Sequence, residues 1–553
     1  MTIYHDPFRV IYQADLLSHD HIDWDYNSYF SYAPNNVVLS VLLSVWLKLT
    51  QLVSIPTNIA INVLTITILD ITIFMTLKII RLVTSSSLFQ VGVMLFFWAT
   101  PLAYTYLLQV FYSDGILLFC FVNLIYLLLN WKNVSHYIKW IYGFLLTIIA
   151  ALGMIIKPNF IVIEIALFLI VILKKVNGRG SLIVPFICVT VGLCLTPIIN
   201  KEIETAVGYS PDTQYKLPIS NWIYMGLNEK TSGTYSYEDI EKLEDVEYKS
   251  RTSESFDLIK ERVNKLGFFG LFQQWISKME ILENFGTIQN AYIGGTYSAP
   301  TWFLRYKKFI SGFISVLMRT AIIILMYLLL KKTLLFDIND ISNRNWLFIE
   351  LTILGLIGFH TLIWETESRY GLPLIFLYLI LVSLPIKQVK MNLKNRKGLL
   401  VTSFLILIFC GYNLFFSRLK DNIELNPYVI TAQRSQLSEK YQTKTVKLSP
   451  REKISEKVFL PVNVSYFSVL IPEKTKLEGQ LINTKTKKKY PLQKETKSLV
   501  YDGKITKGSY IIQIKNASNT DQICWIVSPA SYQLSKYKIQ HQGNKYLIYK
   551  FEK

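Results

Sequence analysis

Long apolar runs separated by short polar segments dominate the chain from Pro56 to Phe416. A run of about 20 residues is long enough to cross the hydrocarbon core of a bilayer as a helix. The pattern therefore predicts a polytopic α-helical membrane protein with about ten spans. These lie at roughly 56–80, 86–106, 111–131, 138–156, 159–174, 181–199, 308–330, 346–364, 370–386 and 398–417.

Lysine and arginine residues concentrate in every second loop between these runs. Basic residues are retained on the cytoplasmic side of membrane proteins, so the loops that carry them are predicted to be cytoplasmic. The other loops, the N-terminal segment and the C-terminal region then lie outside the cell membrane. The basic loops contain Lys78 and Arg81; Lys132 and Lys139; Lys174, Lys175 and Arg179; Lys331, Lys332 and Arg344; and Lys387, Lys390, Lys394, Arg396 and Lys397.

The apolar stretch at residues 34–49 is an exception to this pattern. If it crossed the bilayer, every later loop would change sides and the basic loops would lie outside. We therefore expect a juxtamembrane helix that lies in the outer interface.

The C-terminal region changes character after about residue 418. It is rich in lysine and contains short alternating runs such as VSYFSVLI and QICWIVS, which are typical of β-strands. We expect an extracytoplasmic all-β domain, in the form of a sandwich with Cys524 buried. Five regions are thus predicted: a first extracytoplasmic loop with the juxtamembrane helix (1–55), a first transmembrane bundle (56–199), a large extracytoplasmic loop (200–307), a second bundle (308–417) and the β-rich domain (418–553).

Composition narrows the classes of function. The net charge of +19 over 553 residues lies in loops between apolar runs, which indicates attraction to anionic lipid or cell-wall polymer and no nucleic-acid partner. Nucleotide-binding, zinc-protease and serine-hydrolase motifs are missing, so ATP-driven transport, redox chemistry and hydrolysis lack support. No motif requires a cofactor, although the D-x-D string Asp23-Trp24-Asp25 leaves a divalent metal as an alternative.

Three candidate residues lie in predicted outer segments. Asp6 begins an amphipathic stretch, and Asp114 ends the string QVFYSD, which also contains Tyr112. Each carboxylate can be a catalytic group or a helix cap. Lys157 breaks the positive-inside pattern in the turn KPN, where it can meet an anion or extend to the headgroups.

The densest polar cluster is WETESRYGLP, at residues 364–373. Arg369 offers a planar fork suited to phosphate oxygens, and Tyr370 adds a hydroxyl donor. Glu365 and Glu367 lie beside them, so a mutually paired structural cluster is the alternative to a binding site. Three further ionisable residues lie within predicted spans, where helix-packing pairs are expected: Asp70, Glu164 and Arg319.

These pieces, in this order, resemble the GT-C membrane glycosyltransferases, in particular the branch of protein O-mannosyltransferases and aminoarabinose transferases of bacteria. The resemblance covers about residues 1–420. It is carried by Asp6, by the stretch SYFSYAPNN with Asn35 near its end, by YSD ending at Asp114, and by KPN, NWIYMGLN and WETESRY.

The resemblance implies a glycosyltransferase that uses a sugar on a polyprenyl phosphate and transfers it with inversion. Asp6 would be the general base, and Asp114 would support it or orient the acceptor. Lys157, Arg369 and Tyr370 would hold the phosphate, while Glu365, Glu367, Tyr112 and Asn35 complete the expected substrate-binding set. The acceptor would be a cell-wall polymer, a glycolipid or a protein. The family pattern also implies a span before Asp6, so we expect the natural chain to extend beyond Met1.

Two other functions fit the same sequence. A non-enzymatic transporter or flippase of lipid-linked sugars or cell-wall polymer would use the same basic residues without a catalytic base. A membrane-anchored binding protein would act through its β domain alone.

Overall fold

The computed structural model describes residues 5–24, 27–100, 106–173, 179–284, 300–333, 344–385, 429–432 and 444–552. Helices occupy the first six of these ranges and strands the last two. The α-helices are α1 (His5–Ser18), α2 (Asn27–Tyr32), α3 (Asn35–Gln51), α4 (Thr57–Val83), α5 (Ser87–Ala99), α6 (Ser113–Asn130), α7 (His136–Ile156), α8 (Val162–Ile172), α9 (Ile183–Ala206), α10 (Ser220–Gly226), α11 (Tyr237–Glu244), α12 (Arg251–Leu282), α13 (Thr301–Thr333), α14 (Arg344–Gly358) and α15 (Leu372–Ser383).

Six helices in the described ranges are long and apolar enough to cross a membrane, which confirms the prediction of an integral membrane protein. They are Thr57–Val83, Ser113–Asn130, His136–Ile156, Gly180–Ala206, Gly312–Thr333 and Arg344–Ile363.

Three more predicted spans coincide with shorter apolar helices, at Ser87–Ala99, Pro158–Ile172 and Ser368–Ser383. At about 1.5 Å per residue these measure roughly 20–24 Å, less than the hydrocarbon thickness of about 30 Å. The tenth predicted span, 398–417, lies outside the described residues.

The helix bundle has two chemically different ends. At one end, Arg344 Nη1 donates to Ser181 Oγ (2.9 Å), and Lys332 Nζ donates to the carbonyl of Leu384 (2.7 Å). These contacts join helix ends that the sequence assigned to one side of the membrane. The candidate functional residues lie at the other end of the same helices. That this other end is extracytoplasmic stays a prediction.

Helix α3 is the predicted juxtamembrane helix. It packs along α1, and it is not among the helices that qualify as candidate spans. Val45, Leu49 and Leu52 are exposed along or just beyond its outer face, with Leu52 81% exposed. These features agree with a helix lying at a membrane surface, which stays a prediction.

Two of the three intramembrane ionisable residues make the expected contacts between elements. Thr190 Oγ1 of α9 donates to Glu164 Oε1 of α8, and buried Arg319 donates to Asn284 Oδ1 (3.5 Å). The prediction of a packing pair was wrong for Asp70, whose side chain is exposed on α4. Asp70 is one helical turn from exposed Ile66 and Phe74, so it shares the stripe that faces away from the bundle.

The described residues 444–552 are all-β, as the alternating pattern predicted. The strands are β1 (Val429–Ala432), β2 (Lys444–Leu448), β3 (Lys453–Leu460), β4 (Val464–Leu470), β5 (Leu477–Asn483), β6 (Lys489–Pro491), β7 (Gln493–Lys494), β8 (Ser498–Ile505), β9 (Gly508–Asn516), β10 (Gln522–Val527), β11 (Tyr546–Leu547) and β12 (Tyr549–Glu552). They form antiparallel sheets in the orders β1-β12-β4-β8-β7, β11-β10-β2 and β3-β9-β5-β6. Alternate residues of these sheets fill one apolar core, which includes the buried Cys524.

The β domain docks on the helix that carries Asp6. The buried carboxylate of Asp15 in α1 accepts hydrogen bonds from the backbone N–H groups of Ser531 (2.8 Å) and Tyr532 (3.0 Å). Asn58, at the start of α4, exchanges two hydrogen bonds with the backbone of Gln533 (2.8 and 2.9 Å). Because these contacts satisfy buried groups on both partners, they fix the domain on this end of the bundle.

One buried acid lies within the core of the β domain. Glu456 Oε2 accepts from the backbone N–H of Leu547 (2.6 Å), while Oε1 has no hydrogen-bond partner among the described residues. Burial raises the pKa of Glu456 well above its usual value, and the bond from Leu547 opposes this only in part. The folded domain therefore favours the protonated acid.

We predict that Glu456→Gln removes a pH-dependent loss of stability. An unfolded glutamate titrates near pH 4.3, so stability is full below about that pH and falls as the pH rises toward the higher folded pKa. The glutamine keeps the acceptor for Leu547 but cannot ionise. Thermal unfolding of the full-length protein should be measured between acidic and neutral pH. The melting temperature of the variant should increase relative to that of the parent as the pH rises. Glu478→Gln, on the exposed side of β5, is the control, and equal pH slopes for parent and Glu456→Gln would contradict the prediction.

Candidate functional site

A buried ion cluster joins three elements at one end of the bundle. Asp114 begins α6, Lys157 follows the last turn of α7, and Arg369 lies in the 3-10 turn Ser368–Gly371. Lys157 Nζ donates to Asp114 Oδ1, and Arg369 Nη1 lies 3.6 Å from Asp114 Oδ2. The Asp114 side chain is only 2% exposed. The cluster therefore holds one carboxylate between two cations, away from bulk water.

Asp114 is not a helix cap and Lys157 does not extend to the headgroups, the two alternatives that the sequence left open. Asp114 does not cap α6, since its carboxylate is used by Lys157 and by Tyr106 Oη, which donates to Oδ2 (2.7 Å). Lys157 does not extend outward, since its Nζ lies 4.4 Å from the centre of the Tyr370 ring. Removing charges from water is costly unless they are paired in good geometry, and here both partners meet that condition.

Arg369 is a largely buried cation held by carboxylates and aromatic rings. Its Nε donates to Glu367 Oε2, and its guanidinium carbon lies 5.1 Å from the ring centres of both Tyr112 and Tyr370. Its Nη1 is buried and has no hydrogen-bond partner among the described residues. Nη1 thus faces the Asp114 carboxylate without a hydrogen bond, and its N–H groups have the geometry to donate to a phosphate or carboxylate oxygen.

Glu365 and Glu367 have separate partners. Glu367 pairs with Arg369, whereas Glu365 accepts from Tyr370 Oη (2.6 Å). Burial, with the nearby charge of Glu367, raises the pKa of Glu365 to about 7. The turn therefore contains one carboxylate paired with Arg369 and one, Glu365, whose burial favours the protonated form.

Tyr112 connects this cluster to the N-terminal helices. Its hydroxyl lies 3.1 Å from that of Tyr29, and Asn36 Nδ2 donates to both hydroxyls (3.0 and 2.6 Å). Burial raises the pKa of Tyr112; the charge of Asp6 raises it further and that of Arg369 opposes the shift. Asp6 and Arg369 thus act on the same hydroxyl from two parts of the chain.

Asp6 is the most accessible carboxylate among the predicted catalytic residues. Its side chain is 34% exposed, while its partner Arg9 is fully buried and donates to Oδ1 (2.8 Å). Arg9 is itself held with its guanidinium carbon 4.8 Å from the centre of the Tyr29 ring. One turn of helix separates Asp6 from Arg9, so the buried arginine orients a carboxylate that stays open to a second molecule.

The structure brings most of the predicted residues together but changes which asparagine reaches the centre. Asn35 Nδ2 donates to the carbonyl of Ile156 (3.0 Å) and so holds the end of α7, next to Lys157. Asn36 is the residue that contacts Tyr112. In the D-x-D string Asp23 is exposed, and Asp25 lies outside the described residues.

Four contacting residues were missed from sequence: Arg9, Tyr29, Asn36 and Tyr106. The i, i+3 spacing of Asp6 and Arg9 was a usable signal, and Asn36 adjoins a predicted residue. Tyr29 lies within the stretch SYFSYAPNN, which was a usable signal, whereas nothing in the local sequence distinguishes Tyr106 from the other tyrosines.

The large loop supports the 364–370 turn through its backbone. Gly226 lies so close to Trp364 that a Cβ would come within 2.7 Å of the Trp364 carbonyl oxygen. The N–H of Thr366 donates to the carbonyl of Gly233 (2.9 Å). The motif NWIYMGLN therefore contains a glycine, Gly226, that the approach of Trp364 requires.

An apolar crevice adjoins the cluster. It runs between α4 and α6 and has Tyr112 in its wall together with Thr65, Leu69, Leu107, Phe111 and Ile116. The hydroxyl of Thr65 is used by its own helix, since it donates to the carbonyl of Ile61 (2.8 Å). The crevice wall is therefore mostly apolar beside a site rich in charge.

Fold and site together define an integral membrane protein with a charged, partly open site at one end of its helix bundle. A protein-family model described as conserved hypothetical integral membrane protein matches residues 3–292. Because this is more than half of the 553 residues, the chain belongs to that family. The match includes Asp6, Asp114 and Lys157 and ends before Arg369. Searches of curated proteins and of solved structures found no match.

We predict that the ion cluster is cooperative. Asp114→Asn or Lys157→Met alone leaves a buried charge short of its partner, which costs about 3–5 kcal/mol. The double variant should cost clearly less than the sum of the two, because it removes both charges of the pair. Unfolding free energies in detergent micelles measure this coupling. Additive single effects would show that the two residues do not stabilise each other.

Proposed function

We propose that this protein transfers a sugar from a polyprenyl-phosphate carrier to an acceptor hydroxyl with inversion. The proposal rests on the positions of two groups relative to Tyr112. The partly exposed carboxylate of Asp6 and the buried guanidinium of Arg369 both act on this tyrosine, from different parts of the chain. Asp6 is the general base in this proposal, and Arg369 with Lys157 binds the phosphate.

The charge balance of the reaction fits this arrangement. As the acceptor oxygen bonds to the sugar carbon, its proton passes to Asp6 and the bond from the sugar carbon to the phosphate oxygen breaks. One negative charge thus leaves the Asp6 carboxylate and a second develops on the leaving phosphate. A fixed cation beside the leaving oxygen stabilises that change most, because it needs no reorganisation at the moment of reaction.

The paired carboxylates have a supporting role in this mechanism. Asp114 holds Lys157 and faces Arg369, and Glu367 holds the Nε of Arg369. Both cations are thereby fixed before substrate arrives, which reduces the ordering cost of binding. Arg9 does the same for Asp6, since it engages one carboxylate oxygen and leaves the other for the acceptor proton.

The apolar crevice beside Tyr112 favours a lipid-borne donor over a soluble one. A prenyl chain gains free energy from apolar contact, at about 0.8 kcal/mol for each CH₂ group buried. Its phosphate would then lie at the end of the crevice where Tyr112 meets Arg369. The proposed acceptor is a cell-wall polymer, a glycolipid or a protein on the extracytoplasmic side.

The first prediction for this function concerns Asp6. Asp6→Asn should abolish glycosyl transfer in membranes supplied with polyprenyl-phosphate sugar, because an amide cannot take the acceptor proton. Its expression and thermal stability should stay close to those of the parent, since Asp6 is partly exposed. Asp20→Asn is the matched control. Asp20 is exposed, pairs with Lys48 and has a left-handed backbone that asparagine tolerates.

The outcomes of this experiment separate the candidate functions. Unchanged transfer by Asp6→Asn would overturn the proposed mechanism. Movement of a lipid-linked sugar across the membrane by parent and variant alike, without transfer, would favour the flippase. If the β domain alone acts as a binding module, neither Asp6→Asn nor a substitution of Arg369 should change function.

A second prediction concerns phosphate binding. Arg369→Gln should weaken the binding of a polyprenyl phosphate by roughly tenfold or more, since a charge-assisted hydrogen bond is worth about 1.5–3 kcal/mol. Native mass spectrometry of the full-length protein with the lipid measures this. Lys265→Gln, an exposed cation of the large loop, is the control. Equal weakening by both variants would indicate attraction to overall charge instead of a defined phosphate site.

A further inference from the structure

The exposed surface of helix α12 changes from polar to apolar at Gly267. Before this glycine the exposed residues are mostly polar, as for Asp257 and Lys260, and the buried face includes Leu258. After it the exposed residues are mostly apolar: Phe268 (73%), Phe269 (84%), Phe272 (52%), Ile276 (47%) and Met279 (42%). The residues turned inward in this second half include Gln274 and Lys278, which are 5% and 1% exposed.

A helix with this reversed pattern is unfavourable in water. A helix in water buries its apolar stripe against the protein and exposes its polar face. Phe268, Phe272, Ile276 and Met279 follow a spacing of three and four residues, so they form one continuous outward stripe. An apolar stripe of this size on a water-exposed surface marks a contact with a partner or a membrane.

Backbone geometry separates the two halves. Gly267 has φ 57° and ψ −173°, a conformation that interrupts the helix and that residues with a Cβ rarely adopt. The bend lies where the surface pattern changes. The two halves of α12 can therefore follow different directions through different surroundings.

The inward face of the second half of α12 contacts the large loop. Gln274 Nε2 donates to the carbonyls of Gly226 (3.2 Å) and Asn228 (3.1 Å). The Lys278 side chain packs against Gly233, at the base of the 364–370 turn. The inward face is thus the wall that supports the candidate site, and the outward face needs an apolar environment.

Helix α12 lies beside the end of a candidate membrane span. Helix α12 packs against the π-helical turn Phe359–Ile363, which ends the candidate span Arg344–Ile363. In that turn Leu362 and Ile363 are 50% and 48% exposed. Exposed apolar residues of α12 and of this span end therefore lie on two elements that pack against each other.

We propose that residues 268–282 are embedded in the bilayer, with Phe268, Phe269 and Phe272 among the lipid acyl chains, and that Gly267 marks the boundary with water. The segment measures about 22 Å at 1.5 Å per residue, so it enters the membrane without being a full span. The large loop is then part membrane element and part aqueous domain. This inference rests on the membrane class of the protein and is independent of glycosyl transfer.

Fluorescence from a single site tests the proposal in the full-length protein reconstituted into phosphatidylcholine vesicles. With the native cysteines replaced, Phe269→Cys labelled with an NBD dye should emit at shorter wavelength, and lipids with a nitroxide on the acyl chain should quench it. Asp257→Cys, on the aqueous half of the same helix, is the matched control. Its dye should emit as in water and be quenched by iodide.

Two results would overturn the proposal. One is water-like emission and iodide quenching at position 269, which would place the stripe in solvent. The other is short-wavelength emission that neither nitroxide lipid nor iodide quenches, which would indicate a protein surface such as a second copy of this chain. Phe272→Cys repeats the measurement one turn further along, so a folding defect at one position does not decide the outcome.

Discussion

The charge triad of Asp114, Lys157 and Arg369 is the constraint on which the rest of this structure depends. In a poorly hydrated helix bundle a single buried charge is costly, so each member is retained only while the others are in place. Their pairing fixes the start of α6, the end of α7 and the turn before α15 at one depth. Tyr112, Tyr370 and Glu367 contact the triad directly, and the N-terminal helices meet it through Tyr112.

Three distant parts of the chain converge on Asp6. Arg9 of its helix lies against the ring of Tyr29, which is linked to Tyr112 and the triad, and Asp15 of the same helix holds the β domain. The β domain therefore contributes to the site by fixing α1, even though its own strands carry none of the candidate residues. Because Asp15 and Asp6 lie on the same helix, a movement of this domain would be transmitted to the accessible carboxylate.

The exposed residues of the molecule suit two environments, water and membrane lipid, and change from one type to the other within short distances. The bundle exposes apolar residues, as membrane spans do, while α12 changes from one pattern to the other at a single glycine. The candidate site lies where these surroundings meet, with an apolar crevice beside paired charges. A substrate that is itself part lipid and part polar group matches both, which is why a lipid-borne sugar is the function we propose for this member of the integral membrane family.

The sequence by itself determined the membrane class, the approximate positions of the apolar helices and the all-β C-terminal region, because hydrophobic periodicity reports local burial directly. It also selected Asp114, Lys157 and Arg369, since charges at the ends of apolar runs are conspicuous. Tertiary structure alone decided their pairing, the choice of Asn36 over Asn35 at Tyr112, the outward position of Asp70 and the reversed face of α12. Each of these depends on which side of a helix packs against a segment that is distant in the sequence. The hydrophobic periodicity of one segment does not identify that packing partner.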